Sequence, residues 1–150
     1  MKVRLLILVL WVVTSLQACQ KNDDNDQNNS NIPNVAFDTG GLINTNLPQF
    51  NQLQFPGNFV LLNNNYGING VVLYYAGGTN YSAFELTDPA HQLNTCSNLT
   101  VEGTTATCNC TDANKYNIIV GTAIEGTSSQ FPLKRYFVEA NGNIIRVFNN

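Results

Sequence analysis

An all-β domain, an antiparallel sandwich or small barrel, is what this sequence of 150 residues predicts. Three observations carry that prediction. Asparagine is the outlier of the composition, with 24 copies beside 11 glycines, and both residue types favour turns over helix interiors. Short runs rich in Val, Ile, Leu, Thr and aromatic residues recur every 8 to 12 residues, with turn signals between them. After residue 20 no long amphipathic helical pattern is found.

The strands are predicted in order. Residues 35–38 make a short β-like run closed by Gly40 and Gly41. Apolar residues alternate at Leu53 and Phe55 until Pro56 and Gly57 break the run. Residues 59–62 are continuously apolar and are followed by an Asn-rich turn at 63–67. Residues 70–75 form the strongest strand, bounded by Gly77 and Gly78, and residues 81–86 alternate up to Asp88 and Pro89. Residues 91–100 are polar and loop-like; 104–108 and 115–120 read as short strands. Residues 131–138 and 144–148 form a hairpin about Asn141 and Gly142, since Asn-Gly between alternating runs is a strong hairpin signal. The 116 residues from Val35 onward suffice for one core.

Charge excludes one class of partner. Seven Lys and Arg stand against ten Asp and Glu, a net charge of −3, which leaves no basic surplus to neutralise nucleic-acid phosphates. No glycine-rich phosphate loop is present, and no Gly-x-Ser-x-Gly elbow accompanies the lone histidine.

The N-terminus reads as an export signal. Lys2 and Arg4 precede nine apolar residues at 5–13, too few to span a bilayer as a helix of roughly 20 residues. Residues 14–19 resemble the bacterial lipobox: Leu16 and Ala18 stand three and one before Cys19, although Gln17 is larger than usual there. The resemblance implies a signal peptide over 1–18 and a mature chain anchored to a membrane through lipid on Cys19, held stably by two or more acyl chains. Residues 19–34 are expected to be a flexible polar tether, and the folded domain to run from 35 to 150. Lys21 followed by Asp23, Asp24 and Asp26 resembles a surface-export signal of certain Gram-negative lipoproteins; a solvated charge run is the plainer alternative. The expected location is the outer membrane or cell surface.

A set of pieces in fixed order resembles the Rieske-type iron–sulfur domain, and within it a lipoprotein branch. Tyr81-Ser-Ala-Phe84 leads to Asp88-Pro-Ala90; then come Cys108-Asn-Cys-Thr111, Gly121, Pro132-Leu-Lys-Arg-Tyr136 and an Ile/Val-rich last strand. In that family the two boxes read Cys-x-His and Cys-x-x-His, and the resemblance spans residues 58–148. It implies a loop-rich subdomain inserted at about 86–121 and a 2Fe-2S cluster held by two thiolates and two imidazoles. Carried over residue by residue, Asp88 stands at the first Cys, Ala90 at the first His, Cys108 at the second Cys and Thr111 at the second His. His91 is one position late and is the only histidine in the chain, so a second imidazole does not exist. The expectation is that the cluster has been lost.

High-potential members of the family tie their two ligand loops with a disulfide. The resemblance implies a Cys96–Cys110 bridge, with Cys96–Cys108 as the rival pairing, in a compartment that permits disulfides. A Cys₃His metal site from His91, Cys96, Cys108 and Cys110 has suitable donors but an uncommon spacing. The leading expectation is therefore a lipid-anchored, non-catalytic binding or structural module. It would meet a protein or small ligand at the tip formed by residues 88–96 and 108–112. The alternatives are an electron-transfer protein whose 2Fe-2S cluster has atypical ligands, and a thiol-based redox protein using Cys108.

Overall fold

The computed structural model describes residues 31–150. The expected signal peptide, the lipid attachment at Cys19 and most of the tether lie outside the described residues. The described chain is all-β, as the sequence predicts. Its strands are β1 Phe37–Asp38, β2 Ile43–Asn44, β3 Phe59–Leu62, β4 Val71–Gly77, β5 Asn80–Glu85, β6 Leu99–Glu102, β7 Thr105–Cys108, β8 Lys115–Asn117, β9 Arg135–Asn141 and β10 Ile144–Asn149. They form a seven-stranded sheet in the order β1-β10-β9-β5-β4-β3, with β2 also paired to β10, and a three-stranded sheet β6-β7-β8. Every pairing between strands is antiparallel. The small sheet is inserted between β5 and β9 of the large one, within the span 86–121 expected for a subdomain.

The continuous apolar run of β4 has a direct cause. Val71 and Leu73 point into one core with Val60, Ala83, Tyr136, Ile145 and Val147. Val72 and Tyr74, on the opposite face, join Phe84, Leu99, Ala106, Cys108, Tyr116 and Ile118 in a second core under the small sheet. A strand covered on both faces has no reason to alternate with polar residues. Gly121 closes this second core. It has φ +85°, and a Cβ there would run into the Phe84 ring.

Several sequence expectations are corrected. Residues 51–54 form a 3-10 turn that inserts Leu53 into the core, so the alternation there is not a strand's. The polar stretch 91–100 ends in β6, whose Leu99 packs inward while Thr100 and Glu102 face water. Residues 131–134 are not strand, and β9 starts at Arg135. The run 115–120 is strand only to Asn117, where the Asn117 side chain caps the backbone N–H groups of Ile119 and Val120. The folded unit also reaches back to Asn31. Ile32 is buried, Asn31 donates to the Pro89 carbonyl, and Asn34 donates to that of Asn150 and accepts from Lys134. Composition assigned residues 31–34 to the tether because it does not reveal pairing with groups so remote in sequence.

Candidate functional site

Two loops meet at one end of the small sheet. The first leaves β5, is closed by a bridge between Thr87 and Asn98, and carries Asp88, Ala90, His91 and Cys96. Within it Asn94 Oδ1 accepts from the backbone N–H groups of Cys96 and Ser97, which folds Cys96 back toward the second loop. The second loop joins β7 to β8 and carries Cys108, Cys110, Thr111, Asp112 and Asn114. Cys96 and Cys110 are joined in a disulfide with Cα atoms 4.8 Å apart, and Cys108 is a free, buried thiol. The rival Cys96–Cys108 pairing is not formed. A Cys₃His centre at His91, Cys96, Cys108 and Cys110 is incompatible with this bridge, since bonded sulfurs are not thiolate donors.

Ala113, between Asp112 and Asn114, has φ +48°, in the left-handed region that non-glycine residues rarely occupy. The reversal there, closed by the Ala113 N–H on the Cys110 carbonyl at 3.0 Å, returns the chain toward Asp88.

Asp88 is the centre of the tip and is fully buried. Its Oδ1 accepts from the Ala90 backbone N–H at 2.9 Å and from the Tyr116 hydroxyl at 2.5 Å. Its Oδ2 accepts from Asn114 Nδ2 at 3.0 Å and lies 3.6 Å from His91 Nε2. Asn114 also donates to Asp112 Oδ2 at 2.7 Å, and His91 Nε2 stands 3.0 Å from both Asp112 oxygens. Burial pushes the Cys108 thiol up to about 12; the Cys110 N–H on its sulfur works against this, and the Asp88 carboxylate adds to it. Tyr116 is likewise raised, by burial first and by Asp88 second. Burial also pushes Asp112 upward, but the His91 and Ser128 hydrogen bonds outweigh it and the net direction is down.

The expected site residues divide clearly. Asp88 and Cys108 are brought together and are buried; Thr111 is exposed on the second loop, and Ala90 contributes only its backbone N–H to Asp88. Asn114 and Tyr116 were not singled out by the sequence reading. No local pattern marks them, since β8 begins only at Lys115 and the left-handed Ala113 separates Asp112 from Asn114. A groove of about 480 Å³ lined by Asn58, Val60, Leu61 and Thr104 at the edge strand β3 shares no residue with the tip.

No family model matches the sequence, and no curated protein matches it. Solved structures do resemble it. One is the complex of reduced oxygenase and oxidised ferredoxin in carbazole 1,9a-dioxygenase, at 22% identity over 62% of this chain and 82% of that one, with a TM-score of 0.43. Another is the ferredoxin of carbazole 1,9a-dioxygenase from Nocardioides aromaticivorans IC177, at 14% identity over 64% and 88% of the two chains, with a TM-score of 0.41. Two loops, one after the Tyr-x-Ala-Phe strand and one after the strand ending at Cys108, close on each other and are tied by a disulfide.

The donors do not fit the cluster that the sequence resemblance implies. Two of its ligands must be imidazoles on one iron. The chain has one histidine, and Ala90 has no side-chain donor. The ligand atoms of Asp88, His91, Cys108 and Asp112 all lie within 4.8 Å of one another.

Proposed function

We propose that this chain is a lipid-anchored protein of the outer membrane or cell surface whose Rieske-like domain carries no 2Fe-2S cluster and serves as a non-catalytic binding or structural module. The single supporting observation is the donor inventory at the tip. One inner ligand position is an aspartate, Asp88, in place of a cysteine; Ala90 offers no side-chain donor at an outer position; and only one imidazole exists to serve the outer pair. The disulfide takes over the work of joining the two loops. The contact surface of the module is the tip, where Leu93 exposes an apolar side chain. The fold of ferredoxins does not supply the partner, because fold and function separate readily.

Thiol redox chemistry at Cys108 has less support than at an ordinary cysteine. A thiol held near 12 is almost wholly protonated at neutral pH, and the thiolate is the reactive form.

The test uses the full chain purified in detergent. We expect a colourless protein with neither stoichiometric iron nor acid-labile sulfide, and a mature N-terminus at Cys19 bearing diacylglycerol that is lost in Cys19→Ala. A brown protein with two irons and two sulfides per chain overturns the cluster-free reading. An unlipidated chain overturns the anchoring.

A further inference from the structure

The tip gathers four Lewis bases within 4.8 Å of one another. Asp88 and Asp112 contribute oxygens, His91 a ring nitrogen and Cys108 a sulfur, from two loops and the end of β7. Hydrogen-bond donors hold the two carboxylates in place. Ala90 N–H and Tyr116 OH hold Asp88 Oδ1, Asn114 Nδ2 bridges the two aspartates, and Ser128 Oγ donates to Asp112 Oδ2 at 3.2 Å. Such an outer shell of donors is what fixes first-sphere ligands in metalloproteins.

We propose that Asp88, His91, Cys108 and Asp112 hold one divalent cation of the zinc class, as a four-ligand site that closes the tip. This rests on the cluster-free reading, since a diiron cluster would claim the same donors.

The geometry suits a tetrahedral ion. Bonds of about 2.0–2.3 Å place neighbouring ligand atoms about 3.3–3.8 Å apart. His91 Nε2 lies 3.6 Å from Asp88 Oδ2, inside that range, and 3.0 Å from Asp112 Oδ2, just below it. One sulfur, one nitrogen and two oxygens form a borderline set; it is too soft for magnesium or calcium and is matched to zinc or cobalt. Four protein ligands leave no open position, which marks a structural site and not a hydrolytic one. The buried pair, Asp88 and Cys108, forms the floor; His91 and Asp112, with side chains 28% and 31% exposed, form the rim by which an ion enters. Binding converts Cys108 Sγ–H to a thiolate–metal bond and releases that proton to water, so no redox partner is needed. The Cys96–Cys110 disulfide stays intact throughout and keeps the two loops in register.

The test is a cobalt titration of the full chain in detergent, prepared without a histidine tag and with one labelable thiol per denatured chain, which confirms the disulfide. We expect one Co²⁺ per chain, tetrahedral d–d absorption, a sulfur-to-cobalt charge-transfer band and displacement of cobalt by Zn²⁺. Cys108→Ser should abolish the charge-transfer band. His91→Ala and Asp112→Asn, both at the exposed rim where folding is least at risk, should each weaken binding at least about tenfold. The site is overturned if millimolar Co²⁺ leaves the spectrum unchanged, if the charge-transfer band survives Cys108→Ser, or if the rim variants bind as well as the parent. Iron and sulfide assayed on the same sample separate the two ideas. A colourless, iron-free chain that ignores cobalt removes this site alone, whereas a two-iron chain removes the reading beneath it.

Discussion

Two carboxylates, Glu85 and Asp88, sit three residues apart and are equally inaccessible to water, yet their surroundings differ in kind. Glu85 meets donors only. It accepts from the backbone N–H groups of Ile68 and Asn69, each at 2.9 Å, from the Thr87 hydroxyl at 2.7 Å and from the Tyr136 hydroxyl at 2.6 Å. Gly67 (φ +73°) lies so close that a Cβ there would strike Oε2. Asp88 also meets three firm donors, but beside it stand a thiol, an imidazole and a second carboxylate. The first arrangement is a closed structural pin that fastens the loop 63–70 to the large sheet. The second sets three further ligand atoms within 4.8 Å of the carboxylate. A buried charge surrounded by donors serves the fold; a buried charge surrounded by other bases is prepared for a cation.

The comparison breaks most readily at Glu85. Glu85→Ala leaves two backbone N–H groups and two hydroxyls without their acceptor, and is expected to cost about 4 kcal/mol or more in urea unfolding. Asp88→Asn keeps shape and most acceptor capacity and should cost about 1–2 kcal/mol. Equal losses would mean that the two sites are of one kind.

Cys108 comes next in size. With its thiol near 12 against 9.0 for a free cysteine, alkylation of the native protein at pH 8 should run about a thousandfold slower than after denaturation. Labelling at the rate of a small thiol would show a tip more open than the structure describes. The disulfide follows. Cys96 and Cys110 are 14 apart in sequence, and replacing both with Ala is expected to lower stability by about 3 kcal/mol, measured against the oxidised parent. A loss confined to the tip would leave the β4–β5 amides as protected from exchange as before.

Two smaller effects sharpen the picture of the tip. Ala113→Gly relieves the left-handed backbone and should raise stability by about 1 kcal/mol. Asp112 is held below its ordinary 3.8 once burial is outweighed by its hydrogen bonds, so it contributes stability that is present above about pH 4. That contribution disappears as pH falls through the lowered folded value; in Asp112→Asn this part of the acid limb should be missing from a pH titration of unfolding.

Much of the large sheet was legible because its strands carry their pattern locally. Residues 59–62 and 144–148 match their structural bounds within a residue, through β-branched runs and, before the second, a turn with positive φ at Gly142. The inserted sheet was harder. Thr100 and Glu102 dilute β6, and its edges are set by pairing with β7, which no local window contains. At the tip, Asp88 and Cys108 were found through a resemblance in order and spacing. Asn114 and Tyr116 were not, since their importance arises only from the carboxylate that they hold.

By itself, then, the amino-acid order determined an all-β chain, its principal turns and an inventory with one imidazole, because composition and period-two patterning are properties of short segments and simple counting. Only the tertiary structure decided which cysteines bond, which carboxylate is a pin, and which four bases converge. Those outcomes depend on loops separated by some 20 residues being closed onto one another, and on burial that removes the water which would otherwise satisfy each group singly.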